Sequence, residues 1–478
     1  MKNPQATGPC RIRYRDIGDY LGREQKLAIV GGSRLGTIDW ATIEPNAAGD
    51  WVNQRNDQFL AFPPIGDKPA KGARRQTTVF ASYAYALLTS RDAWVYNFSR
   101  PAVAAKVRET IDFFNAEVGR YAEHFRAQAA GESAIEVGEF VDRDPQRISW
   151  SSSLLPKVAA GERLRFRSDR LVVGTYRPFS KQHLYFDRNL NHRVGLLPTM
   201  FPTPAQSNIG FYCVGMGSAV PFSVLMLDSV PNLHVTGAGS GGQFFPRYTY
   251  RPADEQPKLG STEVESGFTQ VDNITDAILA DYRATYGPNV TNDEIFHYVY
   301  GLLHSPDYRA RFAADLKKML PRIPKVRDFH AFAKAGRALA DLHVGYESAA
   351  PHALEEIVTG KLSTAERYRV QQMRFAGSGK QKDRTKIVDN AHLTLAGIPE
   401  EAYRYQLGSR SAVEWVMDRY RVTTDKANGI VNDPNDWAAE HGDPRYIVEL
   451  VKRIVTVSLE TMWIVDALPT LDILDRSR

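Results

Sequence analysis

Two periods of apolar residues run along the chain. From Pro101, PAVAAKVRETIDFFNAEVGRYAEHFRAQ repeats at i, i+3 and i+4 with a proline in its first turn, which predicts a long helix. From residue 163 the period shortens. RLRFRSDRLVVGTYRPF (163–179) alternates, and LYFD, IGFYCVG and FSVLML follow as short strands punctuated by Pro and Gly. TGAGSGGQFFPRYTYRP (236–252) is a glycine-rich loop feeding an aromatic strand. From about residue 273 helical spacing takes over, in NITDAILADYRATYG, NDEIFHYVYGLLHS, PDYRARFAADLKKML, DFHAFAKAGRALADLHVGYE, SAVEWVMDRYRV and PRYIVELVKRIVTVSLETMWIVDAL. One basic, glycine-containing interruption, RFAGSGKQKDRTK (374–386), reads as irregular. The pattern predicts a mixed α+β chain. Its N-terminal half and middle are strand-rich, with strands over 163–260, and its C-terminal half is mainly helical over 273–478. The polar stretch 131–162 is the best boundary, dividing the chain into 1–105, a helix and linker at 106–162, and 163–478.

Composition narrows the classes. A chain of 478 residues exceeds one ordinary core, and 43% hydrophobic with 24% charged residues is a globular balance. Only two cysteines occur, Cys10 and Cys213, so a disulfide framework or a cysteine-based metal site is excluded. That usage fits a reducing cytoplasm. No run of about 18 apolar residues suits a membrane span. The net charge of +5 permits a polyanionic partner without demanding one.

Several motifs have the letters of catalysis and the context of scaffold. GAGSGG (237–242) has the glycines of a nucleotide loop, but QFFPRYTY follows where a helix should start, so a plain loop is the better reading. KLAIVGGSRLG (26–36) fails in the same way. Pro306-Asp307 and Asp315-Leu316-Lys317 spell a PD…(D/E)xK nuclease pattern. Yet SPDYRARFAADLKKML reads as one amphipathic helix with Ser305 at the N-cap and Pro306 at the first position. His297 and His304 share one expected helix with Glu294 nearby, but buried or exposed histidines are far commoner than ligands, and no metal site is assigned. No GxSxG elbow occurs, and no catalytic residue is assigned. NDPNDW (432–437) approaches the Pro-Pro-aromatic loop of DNA amino-methyltransferases. Asn435 replaces the second proline, however, and Asp436 displaces the aromatic. Turn and capping chemistry explains the same letters.

Nucleic-acid contact has more support. TYRPFSKQHLYFDRNLNHR (175–193), FFPRYTYR (244–251) and RFAGSGKQKDRTK place cations beside aromatics or flexible backbone. Such side chains neutralise phosphates or read base edges. By composition alone the same loops serve equally well as a solvated surface.

These segments are also the ones that carry a family resemblance. DIGDYLGREQKL (16–27), GDWVNQRNDQF (49–59), RDAWVYNF (91–98), YRPFSKQHLYFDR (176–188) and GQFFPRYTY (242–250) occur in order. DEIFHYVYGLLHSPDYRARFAADLKKMLPRIP (293–324), AVEWVMDRYRVTTDKANGIVNDPNDW (412–437) and YIVELVKRIVTVSLETMWIV (446–465) complete the set. The chain resembles the C-terminal part of type ISP restriction–modification enzymes, in which a nuclease, a translocase and an adenine methyltransferase precede a target-recognition domain. The resemblance implies that residues 1–105 correspond to the last elements of the methyltransferase domain and the remainder to the specificity domain. It implies double-stranded DNA as partner. S-adenosylmethionine would be a cofactor of the parent enzyme, with none bound by this chain, because the donor and adenine loops should lie before residue 1. The expected DNA-binding residues are Arg177, Lys181, His183, Arg188, Arg247, Lys380, Lys382 and Arg384. The alternative is half of a split adenine methyltransferase, completed by a separate catalytic subunit.

Overall fold

The computed structural model describes residues 11–18, 22–47, 49–52, 54–68, 77–127, 135–253, 262–264 and 267–474, without side chains at 262–264 and 380. The strands needed here are β1 (Ala84–Tyr85), β2 (Tyr96–Asn97), β3 (Leu171–Arg177), β4 (Ser180–Tyr185), β5 (Gly210–Cys213) and β6 (Val224–Leu227). They are followed by β7 (Val230–Pro231), β8 (Gln243–Pro246), β9 (Tyr248–Pro252), β10 (Thr262–Val264) and β11 (Phe268–Asp272). The C-terminal half adds β12 (Glu355–Val358), β13 (Arg374–Ala376), β14 (Asp383–Val388) and β15 (Leu393–Ala396). The helices are α1 (Arg23–Gly31), α2 (Arg100–Ala127), α3 (Asp276–Tyr286), α4 (Asn292–His304), α5 (Phe329–Val344), α6 (Ala412–Arg419), α7 (Pro434–Glu440) and α8 (Tyr446–Asp466). The fold is mixed α+β.

Strand order explains the apolar runs. One sheet runs β1-β8-β5-β6 and a second runs β2-β4-β3-β7. The first sheet is covered on both faces along β5, β6 and β8, which are wholly buried. Alternate residues enter different cores. Phe211, Cys213, Met226 and Phe245 join the helices α3–α5, whereas Tyr212, Leu225, Leu227 and Phe244 join α2, β4, α6 and α8. That second cluster takes core residues from both sides of residue 163, including Phe114, Leu154, Leu171 and Leu184.

The C-terminal half is less helical than its periodicity suggests. A four-stranded sheet, β12-β15-β14-β13, interrupts the helices. RFAGSGKQKDRTK is a β-hairpin with a register shift between Phe375 and Ala376. Polar letters hid it because its face away from the core is solvated, leaving only Ile387 fully buried and Phe375 half-buried. SPDYRARFAADLKKML also differs from its expected single helix. Ser305 caps Pro306–Arg311 by accepting from the Tyr308 amide at 3.3 Å, but the helix breaks at Phe312 and restarts at Ala313. The buried Asp315 carboxylate turns outward from this segment and accepts from the Asn56 amide at 3.0 Å.

Helices α4 and α5 pass backbone to backbone. A Cβ built on Gly336 would lie 1.8 Å from the His297 carbonyl, and one on Gly301 would lie 2.3 Å from the Phe332 carbonyl. Only glycine fits either position. Beneath β6, the Met226 amide donates to the Tyr300 hydroxyl (2.8 Å) and that hydroxyl pairs with His343 Nδ1 (2.6 Å). His343 Nε2 then meets Thr461 Oγ1 at 2.9 Å, so one buried polar chain ties β6, α4, α5 and α8.

Candidate nucleic-acid interface

The β3–β4 hairpin places four of the expected residues. Its turn is unusual: Phe179 is buried at a φ of 55°, and the register slips between Thr175 and Arg177. A slip of this kind re-aims the side chains beside it. Arg177 stacks on the Tyr176 ring at 4.1 Å and donates from Nη1 to the Tyr176 carbonyl (2.6 Å) and Asn232 Oδ1 (3.0 Å). Arg188, just past β4, is exposed and has no charged partner among the described residues.

Lys181 and His183 face a cleft of about 730 Å³ that also takes in Gln206, Asn208, Asp228, Gln270, Glu347, Trp437 and His441. The Lys181 ammonium lies 3.1 Å from Asp228 and 3.2 Å from Glu347. Burial alone would lower its pKa; the two carboxylates outweigh it and raise it, so Lys181 stays charged. Glu347 also accepts from the Tyr446 hydroxyl at 2.6 Å. His183 Nε2 meets Glu440 at 2.8 Å and its ring lies 4.8 Å from Trp437. Burial lowers the His183 pKa against the pull of Glu440, leaving the imidazole neutral at pH 7. The cleft therefore has two carboxylates around one ammonium, and a third carboxylate beside a neutral ring.

Arg247 is more deeply committed. Its side chain is 6% exposed, with Asp272 at 2.8 Å and Asp293 at 2.6 Å, and it stacks on Tyr248. The β13–β14 hairpin is the opposite case. Lys382 is exposed and carries no ion pair among the described residues. Arg384 stacks on Tyr403 at 4.1 Å and stands 3.8 Å from both Glu400 and Glu414. The Lys380 side chain lies outside the described residues. Arg374 and Lys386 are exposed on the same solvated face of the sheet. Sequence reasoning thus finds the cations and misses their partners, Asp228, Asn232, Asp272, Asp293, Glu347 and Glu440. Each partner is a single polar letter on another element, with no local signal.

NDPNDW is framework. Asp433 caps α7 by accepting from the Asn435 amide at 2.9 Å, and it pairs with Arg369. Asn435 both donates to and accepts from the Val370 backbone. The Phe98 amide donates to Asn432 Oδ1 at 2.9 Å, and Asn97 Nδ2 donates to the Val431 carbonyl at 2.8 Å. Two histidines of α4 are also structural. His297 and His304 bond backbone carbonyls one turn earlier, at 2.7 and 2.9 Å. Among the described residues no group of three His, Cys, Asp or Glu side chains could hold a metal, and no helix is long and apolar enough to cross a membrane.

The chain thus combines a strand-built cleft with a helical scaffold. The description "Type ISP C-terminal specificity domain" matches residues 78–450, and the chain belongs to that family. Three solved structures are similar. A nuclease-deletion mutant of the type ISP enzyme LlaGI in complex with a DNA substrate mimic is 32% identical, with a TM-score of 0.80 over 98% of this chain and 40% of that one. The ATP-dependent type ISP enzyme LlaBIII bound to DNA is 30% identical, with a TM-score of 0.81 over 99% and 28%. DrdV in a DNA complex is 28% identical, with a TM-score of 0.77 over 97% and 44%. The chain spans less than half the length of each. Among curated proteins none matches.

Proposed function

We propose that the chain is the DNA target-recognition module of a type ISP-like restriction–modification system. The observation that carries this reading is the agreement of nearly its whole length with enzymes solved on DNA, at up to 32% identity. In it, Arg188, Lys382 and Arg384 approach the duplex, and Lys382 and Arg188 contact phosphates. Lys181, His183 and Arg247 brace the framework through their carboxylate partners. The test is selection of bound sequences from a randomised duplex library. An enriched motif is expected, with log K falling steeply against log salt; random output at every salt concentration overturns the reading.

A second reading concerns methyl transfer, and the N-terminal segment favours it. No residue of α1 is buried, and Leu27, Val30 and Leu35 are 59%, 65% and 81% exposed. Apolar surface of this kind is costly in water. A catalytic portion holding S-adenosylmethionine and the target adenine would cover it, supplied as a separate subunit or on a longer polypeptide. Adding such a subunit should raise methyl transfer to DNA above the subunit alone. No gain removes this reading.

A further inference from the structure

We infer that Arg177 reads a guanine in the major groove, held in reading position by a relay from Asp92 through Asn232. The inference rests on the DNA-recognition reading above and assigns one contact within it.

The relay is built from side chains on four elements or loops. Thr89 Oγ1 donates to Asp92 Oδ1, and Asn232 Nδ2 donates to Asp92 Oδ2 at 3.3 Å, which fixes which way the amide faces. Asn232 Oδ1 then accepts from the His234 amide (2.9 Å) and from Arg177 Nη1 (3.0 Å). With the Tyr176 carbonyl on its other side, Nη1 has both hydrogens engaged. Tyr176 supports the guanidinium plane from below and is itself packed on Tyr96, with ring centroids 5.0 Å apart. Nε and Nη2 have no hydrogen-bond partner among the described residues and are not buried. They form the forked edge that matches guanine O6 and N7. The register slips at Thr175/Arg177, and Phe179 takes a left-handed φ beside it.

The surroundings favour a base over a phosphate. Asn232 opens onto a cleft of about 310 Å³ whose lining includes Asp92, Asp425, Ser90 and His234. Burial first, and the Arg177 charge second, lower the His234 pKa, so its ring is neutral. The guanidinium groups of Arg91 and Arg177 stand against the carboxylates of Asp92 and Asp425, so the cleft has no excess of positive charge to draw a phosphate. The guanine edge offers neutral acceptors instead. Lys181, His183 and Arg247 each spend their donors on carboxylates; Arg177 alone among the expected residues of β3, β4 and β8–β9 keeps a free fork.

The test uses the full chain and selected duplexes. In the wild type, one G·C pair of the motif should lose roughly 5- to 150-fold of its preference in Arg177→Ala. Arg177→Lys should lose the same preference while keeping the salt slope, because the charge remains and the fork does not. Asn232→Ala should weaken that one position and leave the others, a pattern that general loosening of the fold would not give; unfolding midpoints of all three are measured alongside. If Arg177→Ala enriches the wild-type motif unchanged, the inference is overturned and the DNA reading stands. If it weakens all duplexes equally and flattens the salt slope, Arg177 contacts phosphate and the inference is again overturned. If the wild type enriches nothing, both readings fall together.

Discussion

Lys181 in the β3–β4 cleft and Lys382 in the β13–β14 hairpin were equal candidates as letters, yet their surroundings separate them. Lys181 is 14% exposed between two carboxylates, and the neighbouring His183 and Arg247 are likewise held by acids. Lys382 is exposed beside a glycine-containing turn and makes no ion pair among the described residues, the adjacent Asp383 being 3.8 Å from Lys386. Buried cations in a globular protein are matched by carboxylates because unpaired burial is costly. A cation left unmatched and exposed is available to a partner. The comparison divides the basic residues into braces and contacts without any knowledge of the ligand.

The division can be broken at several points, beginning where the effect is largest. Arg247→Ala should lower unfolding free energy by about 2 kcal/mol, since Asp272 and Asp293 lose their partner but keep access to water. Urea titration measures this, and Lys382→Ala under the same conditions should leave the midpoint unmoved. Acid should act next, through His343, whose ring packs 6.3 Å from Phe179 under the β3–β4 turn. Burial pushes the His343 pKa down to about 3 from 6.5. The folded state therefore holds the neutral ring, and its contribution is complete above pH 6.5. It is lost as pH falls, by about 1.4 kcal/mol per unit below 6.5. Urea midpoints at pH 7 and pH 5 check the sign; a midpoint that rises at pH 5 contradicts it. Lys382→Ala should cost a few-fold in DNA affinity and make the log–log salt slope shallower by about 0.9, the share of one phosphate contact. Arg188→Ala should do the same to a lesser degree, with thermal midpoints unchanged for both. An unchanged salt slope in the pair would place these residues off the duplex.

How much was legible follows from where the information sits. The helices α2, α5 and α8 announce themselves through period and length. The sandwiched strands β5, β6 and β8 do so as short, continuous apolar runs. The β13–β14 hairpin did not, because one face is solvated and its turn residues resemble a loop. The break at Phe312 was hidden because the stripe Tyr308, Phe312, Leu316 continues in spacing across it. At the candidate site the cations were visible and their fates were not. Asp293 caps nothing in its own motif that would reveal its hold on Arg247, and Asn232 follows a proline in an unremarkable turn. Long-range pairing leaves no trace in a single local window.

The contacts of Asn97 and Phe98 with Val431 and Asn432 join residues 334 positions apart. Gln182 of β4 is gripped by the same Asn432. The β3–β4 hairpin is therefore clasped from the side by a segment far away in sequence, and closing a loop of that length is slow. During refolding the strands should pair before this clasp shuts, so that Arg177 is displayed on a fixed frame only in the last step.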